Sequence, residues 1–129
     1  MGWGNLSPFM KINLRRIFMK EFYPEITLNG KNYLLCFNLN VMEAIQAEYG
    51  TIDKWSDLIA DSDAKAIKFG FTEMLNEGID IKNEQEGTDE KPFTTKQVGR
   101  LLTELGFENV GKKINEAIAV SNKDESKNE

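Results

Sequence analysis

Residues 26–50 read ITLNGKNYLLCFNLNVMEAIQAEYG, and this stretch decides the fold. Ile26 and Leu28 alternate with polar neighbours ahead of Asn29-Gly30, and Tyr33, Leu35 and Phe37 resume the alternation after it. An Asn-Gly pair between alternating apolar runs accepts the positive φ angles of a two-residue turn, so the stretch opens with an antiparallel hairpin. A lone hairpin is marginal in water and has to lay its apolar face on something else. The period then changes. Val41, Met42, Ile45 and Tyr49 fall on one side of a helix, with Asn38 or Asn40 placed to cap its first amides and Gly50 placed to end it in a left-handed turn.

Outward from this stretch, every downstream partner for the hairpin is helical. Residues 51–62, TIDKWSDLIADS, form a short helix carrying Trp55, Leu58 and Ile59. Ser62 or Asp63 then starts AKAIKFGFTEMLNEG, in which Ala64, Ile67, Phe71, Met74 and Leu75 share an arc and Gly78 is the expected stop. Residues 77–91, EGIDIKNEQEGTDEK, hold more acids than bases, little to bury and a glycine, and read as a mobile acidic loop. After Pro92, Thr94 or Thr95 caps a helix with the stripe Val98, Leu101, Leu102 and Leu105, ended by Gly106. A last helix turns Val110, Ile114, Ala117 and Ile118 inward, and residues 122–129 read as a disordered tail. The expected fold is α+β and mostly helical, an N-terminal β-hairpin packed on about five short helices in one domain over residues 19–121.

Residues 1–18, MGWGNLSPFMKINLRRIF, stand apart, with Lys11, Arg15 and Arg16 and no acid. Charges interrupt their apolar part and no small-residue cleavage site follows, which argues against a signal peptide. Arg15-Arg16 just ahead of Met19 is what the bacterial ribosome-binding sequence AGGAGG encodes in this frame. The natural start is therefore expected at Met19, with residues 1–18 a non-native or disordered leader.

Composition narrows the function classes. A chain of 129 residues suits a single core. Its net charge of -5, from 16 basic and 21 acidic residues, opposes the counterion release that drives nucleic-acid binding. No apolar run approaches the roughly 18 residues of a membrane-spanning helix. Cys36 has no second cysteine to pair with, which fits a reducing, cytoplasmic setting.

A search for chemistry returns little. The chain has no histidine, so the commonest general base and metal ligand is missing. Cys36, placed by alternation on the face opposite Leu35 and Phe37, reads as a structural small residue rather than a nucleophile. GFENVGKK, residues 106–113, has the glycine and lysine spacing of a phosphate loop but ends in Lys113 where a magnesium-binding hydroxyl belongs, and the segment before it has helical period. Gly106 as a helix stop explains the same letters. From Asp80 a calcium loop fails, because Lys82 falls at a ligand position and Gln85 where glycine is required. Glu84 and Glu86 in a polar loop have nothing to perturb them and read as solvated charge. No enzyme activity, cofactor or metal is expected. Two aromatics stand out instead. Phe69 points about 160° from the apolar arc of its helix, and Trp55 does not sit wholly inward on its own. Each is a candidate partner-binding residue, with Phe69 either on a partner surface or packed under a loop or against the hairpin.

Taken in order, LNGKNYLLCFNLNVMEAIQAEYGTIDKWSDLI, AIKFGFTEMLNEGIDI and KPFTTKQVGRLLTELGFENVGKKINEAI resemble the tail assembly chaperones of long-tailed phages and prophages of Gram-positive bacteria. The resemblance spans residues 23–120 and rests on fold pattern rather than on reaction motifs. It implies a small helical protein that coats the tape measure protein, helps the tail tube subunit polymerise around it, and then leaves, so that it is absent from the mature virion. It also implies a longer form made by frameshifting near residues 121–129. Neither nucleic acid nor a membrane is an expected partner, and self-association into a homo-oligomer is left open. The rivals are a structural head–tail connector and a small adaptor or regulator that binds protein.

Overall fold

The computed structural model describes residues 23–127, with side chains described up to residue 121. The leader and the start expected at Met19 lie outside the described residues. The fold is a mostly helical α+β domain: a hairpin of β1 (Glu25–Leu28) and β2 (Lys31–Leu34), then α1 (Leu39–Tyr49), α2 (Ile52–Ala60), α3 (Ala64–Glu86), α4 (Thr95–Leu105) and α5 (Phe107–Lys127). α5 continues past residue 121, into the segment read as a tail.

The hairpin forms as its turn residues dictate. Asn29 and Gly30 both take positive φ, 52° and 78°, and the register pairs Leu28 with Lys31 and Ile26 with Tyr33. Ile26 and Leu28 are buried on one face while Thr27 is exposed on the other. β2 ends at Leu34, and there the alternation expected from the sequence ends too. Leu35, Cys36 and Phe37 are all buried, because the segment leaves the ladder and runs into the core over α3, with the Cys36 amide donating to the Met74 carbonyl at 3.2 Å.

Side-chain caps fix where the helices start. Asn38 accepts from the Val41 amide, Thr51 from Lys54 and Asp63 from Ala66, each satisfying an amide that has no partner inside its helix. At α4, Thr94 and Gln97 cap each other's backbone reciprocally.

α3 is the organiser, and here the sequence expectation is corrected twice. Gly78 does not end the helix, which runs on to Glu86 and stops at Gly87, whose φ of 67° is the left-handed cap. Glycine at position 78 serves approach instead: a Cβ there would overlap the Leu34 carbonyl oxygen. The bare helix surface lets the end of β2 come close enough for Cys36 to reach Met74. Gly70, two turns earlier on the same helix, admits the Trp55 indole in the same way.

The acidic stretch is likewise not a loose loop. Residues 77–86 are helical, and the chain that returns from Gly87 to Thr94 is tied back to α3 by two asparagines seven residues apart. Asn76 donates to the Phe93 carbonyl at 2.9 Å and accepts from its amide at 2.8 Å. Asn83 does the same for Glu90, at 2.9 and 3.0 Å, and also accepts from the Thr88 hydroxyl. Each amide side chain stands in for the edge of a strand and satisfies a backbone pair that would otherwise face only solvent. The Glu90 carboxylate then bridges Lys31 of the hairpin at 2.7 Å and Lys82 of α3 at 3.0 Å, and Phe93 packs edge-on against Tyr33.

Candidate functional site

Neither aromatic picked out from the sequence forms an open surface. Trp55 is 0% exposed, stacked at 6.1 Å on Phe37, with its indole N–H donating to the Ala66 carbonyl at 3.0 Å. It is a core residue, because the glycine at position 70 makes room for a ring that the α2 stripe alone did not place inward. Phe69 is half-buried, its ring meeting that of Tyr49 edge-to-face at 5.7 Å. It packs at the edge of the core under α1, rather than under a loop or the hairpin.

The groups with titratable chemistry are also absorbed by structure. Burial, and secondarily the charge of Glu77, pushes the Cys36 thiol well up, so it stays protonated and enclosed. Glu77 accepts from the side-chain amides of Asn38 at 2.6 Å and Asn40 at 2.9 Å, anchoring the start of α1. Glu73, one turn before it, is raised first by burial and then by Glu77. Among the described residues no three of His, Cys, Asp and Glu gather as a metal site. Residues 106–113 form a helix-to-helix corner: Gly106, φ 89°, ends α4 and Phe107 begins α5, so no strand leads into the glycine as a phosphate loop needs.

What the fold does open is a groove of about 430 Å³ between the first turns of α3, the second half of α4 and the corner into α5. Ile67 and Leu102, both nearly buried, make its apolar floor, the Lys68 stem covers Gly99, and Gly106 leaves bare backbone just past the end of α4. Thr103 satisfies its hydroxyl within α4 by donating to the Gly99 carbonyl at 2.8 Å. Phe107 stands at the rim, 58% exposed. Local structure puts it there, because the sharp turn at Gly106 redirects the chain before the α5 stripe of Val110, Ile114 and Ala117 begins.

Two lysines line the α3 side. Lys65 reaches Glu48 only loosely, at 3.7 Å, while Lys68 has no ion-pair partner among the described residues and lays its stem across Gly99. Lys68 is half-buried, its aliphatic stem packed over the glycine. Sequence reading missed this site. Its one local signal was an aromatic directly after a helix-stop glycine, outside both flanking stripes, in a window that drew attention only as a failed phosphate loop.

Compared with known proteins, the chain matches no family model, no curated protein and no solved structure.

Proposed function

We propose that this domain acts without catalysis, by covering another polypeptide, and that it is a tail assembly chaperone whose client is a tape measure protein. The observation that carries the reading is the groove beside Phe107, an open surface with an apolar floor. A large, exposed aromatic next to a preformed apolar trough gives a client somewhere to bury hydrophobic surface. The contact is small, so each copy binds weakly and many copies along a long client hold it collectively, which leaves them displaceable by a polymerising tube. The net charge of -5 keeps the coated client soluble. No helix among the described residues is long and apolar enough to cross a membrane.

The test is coexpression with a tape measure protein of a long-tailed phage. The chain should move that protein from the pellet to the soluble fraction, and Phe107→Ala, at an exposed position, should fold normally yet lose most of the effect. A client equally insoluble with and without the chain overturns the reading.

A further inference from the structure

Resting on that reading, we infer that the groove between α3 and α4 takes an amphipathic helix of the client, with apolar side chains inward and carboxylates over Lys65 and Lys68. Three observations on the groove point the same way. Along α4 its lining runs from Gly99 to Gly106, seven residues or about 10 Å of helix axis. That is the reach of the i, i+3 or i+4, and i+7 ridge of a partner helix, and Gly106 has no side chain to hold its backbone off, while the Lys68 stem covers Gly99. The floor residues Ile67 and Leu102 and the rim residue Phe107 offer such a ridge apolar contact along its length.

Charge selects among amphipathic helices. Over most of this acidic surface a carboxylate is repelled, but at the groove Lys68 has no anionic partner among the described residues and Lys65 has only the long contact to Glu48. Glu104 and Glu108 are exposed next to Thr103 and Phe107 in the chain, and Glu108 leans on Lys112 at 3.8 Å. A helix with carboxylates along the α3 side of the groove pairs with the unmet charge of Lys68. One with lysines there meets two like charges, which sets the preference.

The experiment uses the full chain and labelled peptides of roughly five helical turns. One peptide carries a leucine ridge flanked by glutamates, the second the same ridge flanked by lysines, and the third the composition of the first in an order that breaks the ridge. Fluorescence anisotropy should show binding of the glutamate-flanked ridge alone. The double variant Lys65→Glu, Lys68→Glu should weaken that binding by about tenfold and gain the lysine-flanked peptide, and Phe107→Ala should weaken both. Equal binding of the acidic and basic peptides, equal binding of the ridge-broken peptide, or indifference to charge reversal overturns the inference. So does a dimer of the full chain that Phe107→Ala dissociates in sedimentation, because a second copy would then fill the groove. If the client is solubilised in a Phe107-dependent way while the peptides are not distinguished, the occupant assigned here is wrong and the chaperone reading stands. If the glutamate-flanked peptide binds as expected but the client stays insoluble, the groove chemistry stands and the chaperone reading falls.

Discussion

Replacing Gly78 by alanine tests the architecture at its tightest point. In an open helix the change stabilises by about 1 kcal/mol, since alanine is the better helix former. At Gly78 the new Cβ overlaps the Leu34 carbonyl oxygen and sits 3.0 Å from its carbon and 3.3 Å from the Leu34 Cβ. Backbone on both sides has to yield, and β2 has to retreat by roughly an ångström in an interior packed too densely to absorb it. The retreat stretches the Cys36–Met74 hydrogen bond, already 3.2 Å, for a loss of about 1 kcal/mol, on top of roughly 1–3 kcal/mol of overpacking. Set against the helix-propensity gain, the net effect is a destabilisation of about 1–3 kcal/mol. For a chain of this size that is a fall in Tm of roughly 3–12 °C. Gly111→Ala is the control, because that glycine lies within α5 and a Cβ there meets nothing within 4 Å. Thermal and denaturant unfolding followed by circular dichroism should show Gly111→Ala at or above the parent and Gly78→Ala well below it. If Gly78→Ala matches or exceeds the parent, β2 does not lie against α3 as described.

Three further outcomes follow from the ties around α3. Asn83→Ala removes both bonds to Glu90 and should destabilise by about 1–3 kcal/mol, with hydrogen exchange accelerating at Glu90 and its neighbours while the hairpin amides keep their protection. Uniform acceleration, or none, would contradict the clamp. The Lys31 ammonium, aided by Lys82, holds the Glu90 carboxyl below its ordinary value. The resulting stability is present above the unfolded carboxyl's pKa of about 4.3 and is lost as pH falls through the lower folded value. Glu90→Gln should therefore unfold more easily than the parent at neutral pH, with the gap closing below about pH 4 and narrowing in high salt, and a gap independent of pH would refute the pairing. Cys36, buried with its thiol pushed up, should react with a thiol reagent only as fast as the domain opens, so labelling at the rate of a free thiol in native buffer would place it at the surface.

The parts of this fold that were legible from sequence are those encoded by near neighbours. Asn29-Gly30 sets its hairpin within two residues, and Asn38, Thr94 and Asp63 cap helices three residues on. Where the reading failed, a distant segment decided the outcome. Gly78 as stop and Gly78 as contact look alike in the chain, and only the end of β2 distinguishes them. In residues 79–86 helix propensity outweighs the charge that suggests a loop. Glu, Gln and Lys are good helix formers, Ile79 continues the buried stripe, and Gly87 was available as the true cap. For Trp55 and Phe69 the helical angle alone leaves the outcome open, because it cannot register the hollow at Gly70 or the cover supplied by Tyr49. The groove is the extreme case, since it exists only where α3, α4 and the corner at Gly106 meet, and neither Lys68 nor Phe107 carries a local pattern that announces it.

If the domain covers another chain through this groove, as proposed, hydrogen–deuterium exchange of the full chain, alone and with a soluble fragment of a tape measure protein, should reveal where the client lies. Exchange should slow across the second half of α4 and the first turns of α3 and α5, with the hairpin unchanged. Protection confined to the hairpin or to α1 and α2, or no protection at client concentrations that saturate solubilisation, would contradict it.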